Sequence, residues 1–171
     1  MRPRLVLIVS LLAILCPIPV AAAAATAPRV GIQDLAQLDV PDYPFSDSAD
    51  ANADVEKAFA QARAQNKRVL IDLGANWCAD CRILQALMDR PEVHGFLTAN
   101  YAIAVVDVGR LNRNLQIPAR FGVTDRLEGV PAILIADPDG KLVNAGQVFA
   151  LVEARHMTPQ DIVNWLARWT R

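Results

Sequence analysis

Trp77-Cys78-Ala79-Asp80-Cys81 follows the apolar run Arg68-Val69-Leu70-Ile71-Asp72-Leu73 after the short link Gly74-Ala75-Asn76. A short β-type run of this kind reads as a strand buried on both faces, and such strands occur in sheets covered by helices. The cysteine pair then sits where a strand hands over to a helix, with its two thiols one turn apart. A cysteine in the first turn of a helix faces unpaired backbone N–H groups and the positive end of the helix dipole. Both stabilise a thiolate, and the thiolate is the form that attacks a disulfide. On this reading Cys78 attacks, and Cys81 on the same face resolves the mixed disulfide.

A cysteine pair of this spacing has two other uses. A zinc site needs four ligands, and His94 and His156, the remaining candidates, stand far apart without paired spacing; no metal is expected. A static disulfide would close a very short ring and stabilise the fold little. Asp72 adds to the case for chemistry, because a carboxylate inside a buried strand costs several kcal/mol unless it is used or neutralised. In Gly129-Val130-Pro131-Ala132-Ile133-Leu134-Ile135 a proline stands at the mouth of a second apolar strand. There it cannot donate to a ladder, and its peptide bond can be cis.

These features, in this order, resemble the thioredoxin superfamily from about Asp50 to the end of the chain. The resemblance rests on Asp72 ahead of the first cysteine, the Trp-Cys-x-x-Cys centre, Val130-Pro131, the turn Asp137-Pro138-Asp139-Gly140 and a closing helix. The stretches from Gly74 to Arg82 and from Val106 to Arg110 are similar to exported proteobacterial thioredoxin-like proteins. The carboxy-terminal domain of the membrane disulfide reductase has a related centre. The resemblance implies that Cys78 is the nucleophile, Cys81 the resolving thiol, Asp72 the proton acceptor for Cys81, and Pro131 a cis-proline beside the sulfurs. Trp77, Val130 and Pro131 would line the substrate groove, and Ala79 and Asp80 would tune the redox centre. No cofactor is implied.

The chain departs from that pattern in three places. Ala79-Asp80 replaces the Gly-Pro of cytosolic thioredoxins. Ile103 stands where many members carry a lysine paired with the buried carboxylate. Thr124-Asp125-Arg126-Leu127-Glu128 forms an insertion before the proline loop. An exposed Asp80 would oppose the Cys78 thiolate, which favours a reducing or isomerising role supplied by a membrane electron donor.

The amino terminus reads as a secretory signal. Arg2 and Arg4 precede the apolar stretch Leu5 to Leu15, and an alanine run offers a cut before Thr26. The apolar stretch is too short to span a bilayer. Leu15 before Cys16 is not the small residue a lipid-anchor site needs. The expected organisation is thus residues 1–25 as signal peptide, 26–49 as an extended arm, and 50–171 as one thioredoxin-like domain in the periplasm. After cleavage only Cys78 and Cys81 remain, as suits an exported redox protein.

A net charge of −1, without a Lys/Arg cluster, argues against nucleic acid or an anionic membrane as partner. Protein thiols and disulfides are the expected partners, and the chain is expected to be monomeric. A Cu(I) metallochaperone and a non-catalytic thioredoxin-like adaptor are the competing functional readings. The elements expected are a helix over 50–66, the strand 69–73, a helix over 78–89 ended or kinked at Pro91, a strand over 101–106 and a helical stretch over 112–121. A hairpin of 132–135 with 142–145 and a closing helix from a Thr158–Asp161 capping box to Trp169 complete them. The sum is an α/β sandwich around a central mixed β-sheet, the thioredoxin fold, with Tyr43 and Phe45 of the arm packed on it. Trp77 either shapes the groove or shields the thiols; Trp165 and Trp169 read as packing, and His94 and His156 as surface or cap residues.

Overall fold

A computed structural model describes residues 24–124 and 126–171. Nearly all of the expected signal peptide therefore lies outside the described residues. Helix α1 (Ala51–Gln65) is opened by Asp50, whose side chain accepts the Ala53 N–H, and closed by Asn66 in the left-handed conformation. It leads into β1 (Arg68–Gly74), then α2 (Ala79–Met88), α3 (Pro91–Asn100), β2 (Tyr101–Asp107), the single turn α4 (Gln116–Ala119), β3 (Ala132–Ala136) and α5 (Pro159–Ala167).

The sheet is mixed, in the order β2-β1-β3, with β1 parallel to β2 and antiparallel to β3. Because β1 is central, its alternate side chains serve two cores. Val69, Ile71 and Leu73 pack with Val55, Phe59 and Ala62 of α1. Leu70 packs on the opposite face with Leu84 and Leu87 of α2, Leu97 of α3 and Ile162 and Leu166 of α5. Asp72 shares the Leu70 face by this alternation, which places a carboxylate beneath α2.

Four elements differ from the sequence expectation. Pro91 neither merely ends nor kinks α2; it occupies the first turn of a separate helix, α3, where its missing N–H costs nothing. The helical stretch expected over 112–121 contracts to α4, with Leu111 and Asn114 at positive φ before it. The expected hairpin partner of β3 is a single bridge between Ala136 and Leu142. Beyond it the fully buried Asn144 takes the place of a strand: its Oδ1 accepts the Ile135 N–H at 2.9 Å and its Nδ2 donates to the Ile133 carbonyl at 2.8 Å. At α5 the Thr158 hydroxyl accepts the Asp161 N–H and donates to the Asp161 carboxylate, so only half of a capping box forms.

The described part of the arm lies against the fold. Val30 and Leu35 join the core beneath α3 and α5, and Gln160 of α5 bonds the Val30 N–H and the Pro28 carbonyl. Phe45 is buried, whereas Tyr43, expected to pack, is 83% exposed. The Phe45 ring lies over Gly74 so closely that a Cβ there would stand 2.2 Å from it. Asn76 clasps Phe45 from the active-site side, accepting its N–H at 2.9 Å and donating to its carbonyl at 2.8 Å.

Candidate active site

Cys78 is the N-cap of α2, and Cys81 lies in its first turn. Both are buried free thiols, and the Cys81 N–H donates to Cys78 Sγ at 3.3 Å. As a thiol Cys78 donates to the Val130 carbonyl, also at 3.3 Å, and the Val130–Pro131 peptide is cis. The residues before β3 thus touch the Cys78 end of the thiol pair. The two sulfurs differ in chemistry. Cys78 is lowered to about 7, chiefly by a hydrogen bond from the Cys81 thiol, with burial opposing and the Cys81 N–H assisting. Cys81 is raised, by burial first and then by its hydrogen bond with Cys78 and the charges of Cys78 and Asp72. One thiol is therefore poised to ionise near neutrality, and the other needs a base.

Asp72 stands fully buried under this pair. Burial pushes its carboxyl up to about 7; the hydrogen bond from Gln85 works against that rise and the neighbouring Cys78 adds to it. Gln85 Nε2 donates to Oδ2 at 2.5 Å, while Oδ1 has no partner among the described residues. The residue opposite Asp72 on β2 is Val105; Ile103 pairs with Leu70. A neutral amide, Gln85, is thus the side-chain partner of Asp72, in a site without the family's lysine. Its signal was a polar residue on the apolar face of α2, between Leu84 and Leu87.

Asp80 corrects an expectation. It is 2% exposed and not a surface carboxylate. The Arg155 guanidinium grips both its oxygens, with Nε at 3.0 and 2.9 Å from Oδ1 and Oδ2, and the Arg155 N–H donates to Oδ1 at 2.8 Å. Charge neutralised in this way opposes the Cys78 thiolate far less than the bare carboxylate assumed from sequence. Nothing in the sequence near the cysteines announces Arg155. Ala79, half-buried between Cys78 and Asp80, makes no side-chain hydrogen bond.

Trp77 is 51% exposed, and its indole N–H donates to the Gly109 carbonyl at 2.7 Å. The loop that receives it is tied down from several sides. Asp107 pairs with Arg113 and accepts the Gly109 N–H, and the Val108 N–H donates to the Gly74 carbonyl. Gly109 has φ +56°, and a Cβ would meet Asn112 Oδ1 at 2.9 Å, so glycine is needed where the loop passes Trp77. Leu127 of the 124–128 insertion is buried in the α1-side core, and Arg126 and Glu128 are exposed. Trp165 and Trp169 stack edge-on with each other on the α5 side. His94 and His156 are both exposed, and among the described residues no three His, Cys, Asp or Glu side chains gather as metal ligands would.

This geometry is matched in sequence: residues 50–138 fit the thioredoxin-like family. The chain belongs to that family. The thioredoxin-like chain is 39% identical over 92 residues to the thiol:disulfide interchange protein DsbD 1 of Pseudomonas aeruginosa, a match covering 52% of this chain and 14% of that protein. It thus corresponds to a small part of that relative's length. Among solved structures it resembles the disulphide isomerase of Xylella fastidiosa Temecula1, with 31% identity and a TM-score of 0.67 over 74% of this chain and 95% of that one. Arg155, which neutralises Asp80, lies beyond the family-matched residues.

Proposed function

We propose that this thioredoxin-like protein is a thiol-disulfide oxidoreductase that exchanges electrons with protein disulfides through Cys78 and Cys81. The observation that carries the reading is the asymmetry of the pair: a thiol lowered to about 7 at the mouth of the site and one raised behind it over a buried carboxyl. The Cys78 thiolate attacks one sulfur of a substrate disulfide, forming a mixed disulfide and expelling the other sulfur as a thiolate. Cys81 gives its proton to Asp72, and the new thiolate attacks the Cys78 sulfur. A Cys78–Cys81 disulfide closes, the second substrate thiolate leaves, and two electrons have passed to the substrate. Trp77, next to Cys78 in the chain, Val130, whose carbonyl accepts from the Cys78 thiol, and Pro131 receive the substrate chain. Asp80, with its partner, and Ala79 tune the pair.

The protein works on the reducing or isomerising side, re-reduced by a dithiol donor of the membrane. A thiol near 7 matches the moderately lowered thiolate of a reductant (~7) more closely than the strongly stabilised one of an oxidant (~3.5). The name of the disulphide isomerase it resembles supports the isomerising side. The basic-apolar-alanine amino terminus supports export to the periplasm with residues 1–25 removed; the rest is then an arm over 26–49 and a monomeric domain over 50–171. Among the described residues no helix is long and apolar enough to cross a membrane.

The test is equilibration of the mature protein with glutathione, together with a protein-disulfide reduction assay. The reading expects catalysed reduction and a potential nearer thioredoxin's ~−270 mV than the ~−120 mV of a strong oxidant. No catalysis by the reduced protein overturns the activity, and a potential near ~−120 mV overturns the reducing side.

A further inference from the structure

We infer that Arg155 is a positioning residue of the redox centre: its half-exposed guanidinium reaches in to pair with the buried Asp80, so that the Cys78 thiolate forms beside a neutralised carboxylate. The inference rests on the reading of Cys78 as the attacking thiol and adds to it a residue 77 positions away, outside the family-matched segment.

Asp80 is fixed between the two cysteines in the first turn of α2 and is withdrawn from water. A carboxylate so placed cannot be screened by solvent and acts on Cys78 with little attenuation. Arg155 answers it from a 3-10 turn, Ala154–His156, whose Ala154 is fully buried against α2 and α5. Both carboxylate oxygens are engaged by the guanidinium in a forked arrangement, and the backbone N–H of the same residue binds Oδ1. The arginine thus fixes the charge through its side chain and its own place through its main chain. A lysine offers one point charge and no fork.

The charged groups acting on Cys78 can be named from each element around it. Asp80 and Cys81 of α2 act on it; its own charge is felt by Asp72 of β1 and by Arg155 of the 3-10 turn, on which Glu153 also acts. The segment leading to Val130 carries Arg126 and Glu128, of opposite sign and both exposed. Asp80 is the carboxylate that opposes the thiolate. Arg155 is the cation paired with it, and the Cys78 charge acts in turn on Arg155.

The experiment is the pH profile of Cys78 alkylation by iodoacetamide in the reduced, folded protein, with the modified residue identified by mass spectrometry. The unaltered protein should show a midpoint about 7. Arg155→Met should move it up by about one unit, so that alkylation at pH 6 slows about tenfold. Adding Asp80→Asn to Arg155→Met should restore the rate to within about threefold, because no bare carboxylate remains. Arg155→Lys should fall between the unaltered protein and Arg155→Met. An Arg155→Met profile that overlays the unaltered one, or a double variant as slow as Arg155→Met, overturns the inference while leaving the role of Cys78 intact. If Arg155→Met does not fold, Asp80→Asn decides, since the unopposed arginine must then speed alkylation at pH 6; an unchanged rate overturns the inference. Alkylation of the unaltered protein only above about pH 9, the range of an ordinary thiol, overturns the functional reading and this inference together.

Discussion

Gln85 Nε2 lies 2.5 Å from Asp72 Oδ2, and it is the sole donor to that buried carboxyl among the described residues. One bond from a neutral amide does not replace hydration, so Asp72 holds its proton to about pH 7. A group that is protonated near neutrality and can lose its proton is suited to take the Cys81 proton and return it to water.

Asp72→Asn separates stability from function. The folded-state value lies above the unfolded one, so the folded protein binds the extra proton between about pH 4 and 7 and stability falls as pH rises through that window. In urea titrations of the reduced protein, the advantage of the asparagine variant should grow from near zero at pH 4 to on the order of 4 kcal/mol at pH 8. Release of the mixed disulfide should slow by roughly 10²-fold. A stability difference that does not change with pH contradicts the buried, protonated Asp72.

Gln85→Leu tests the other half of the pair. The amide favours the ionised carboxylate, so its removal should raise Asp72 further. The stability loss should be larger at pH 8, about 1.5–3 kcal/mol, than at pH 5. Equal losses at both pH values would mean that Gln85 acts through packing alone.

Phe45 and Gly74 should behave as one unit in chemical denaturation. Phe45→Ala should cost about 3–5 kcal/mol and Gly74→Ala about 1–3, the latter because the added methyl strikes the ring. The double variant should lose less than the sum, since removing the ring makes room for the methyl. Strict additivity would contradict the contact.

Asn144→Ala orphans a buried N–H and a buried carbonyl of β3 and should cost roughly 2–4 kcal/mol in urea unfolding. Asn144→Asp should be worse at neutral pH, since a carboxylate would face the Ile133 carbonyl. A loss under about 0.5 kcal/mol, the size of an ordinary surface change, would show that the backbone re-pairs without the amide.

The parts of the fold legible in the sequence are those set by neighbours along the chain. Asp50 and Asn66 bracket α1, the apolar run before Cys78 gives β1, and the cysteine spacing gives the first turn of α2. Pro91 marked a boundary, but proline at the start of a helix and proline after its end leave the same trace, so α3 went unread. The strand expected after the Asp137–Gly140 turn is interrupted because the Asn144 side chain takes the Ile135 N–H and the Ile133 carbonyl of β3, between backbone bonds from Val143 and to Val148, which no periodicity announces. At the site, Cys78, Cys81 and Asp72 are local to one strand-helix junction and were visible. Arg155 reaches Asp80 through tertiary packing, and burial, which the sequence does not state, turned Asp80 from a surface charge into a paired one.

The most direct measurement of the central claim is covalent trapping with a single resolving-thiol substitution. Cys81→Ser, incubated with disulfide-containing proteins, should accumulate mixed disulfides that map to Cys78 and dissolve in dithiothreitol, and Cys78→Ser should trap nothing and turn over nothing. Disulfide reduction by Cys78→Ser at the rate of the unaltered protein, or adducts of the two-cysteine protein that map to Cys81, would contradict it.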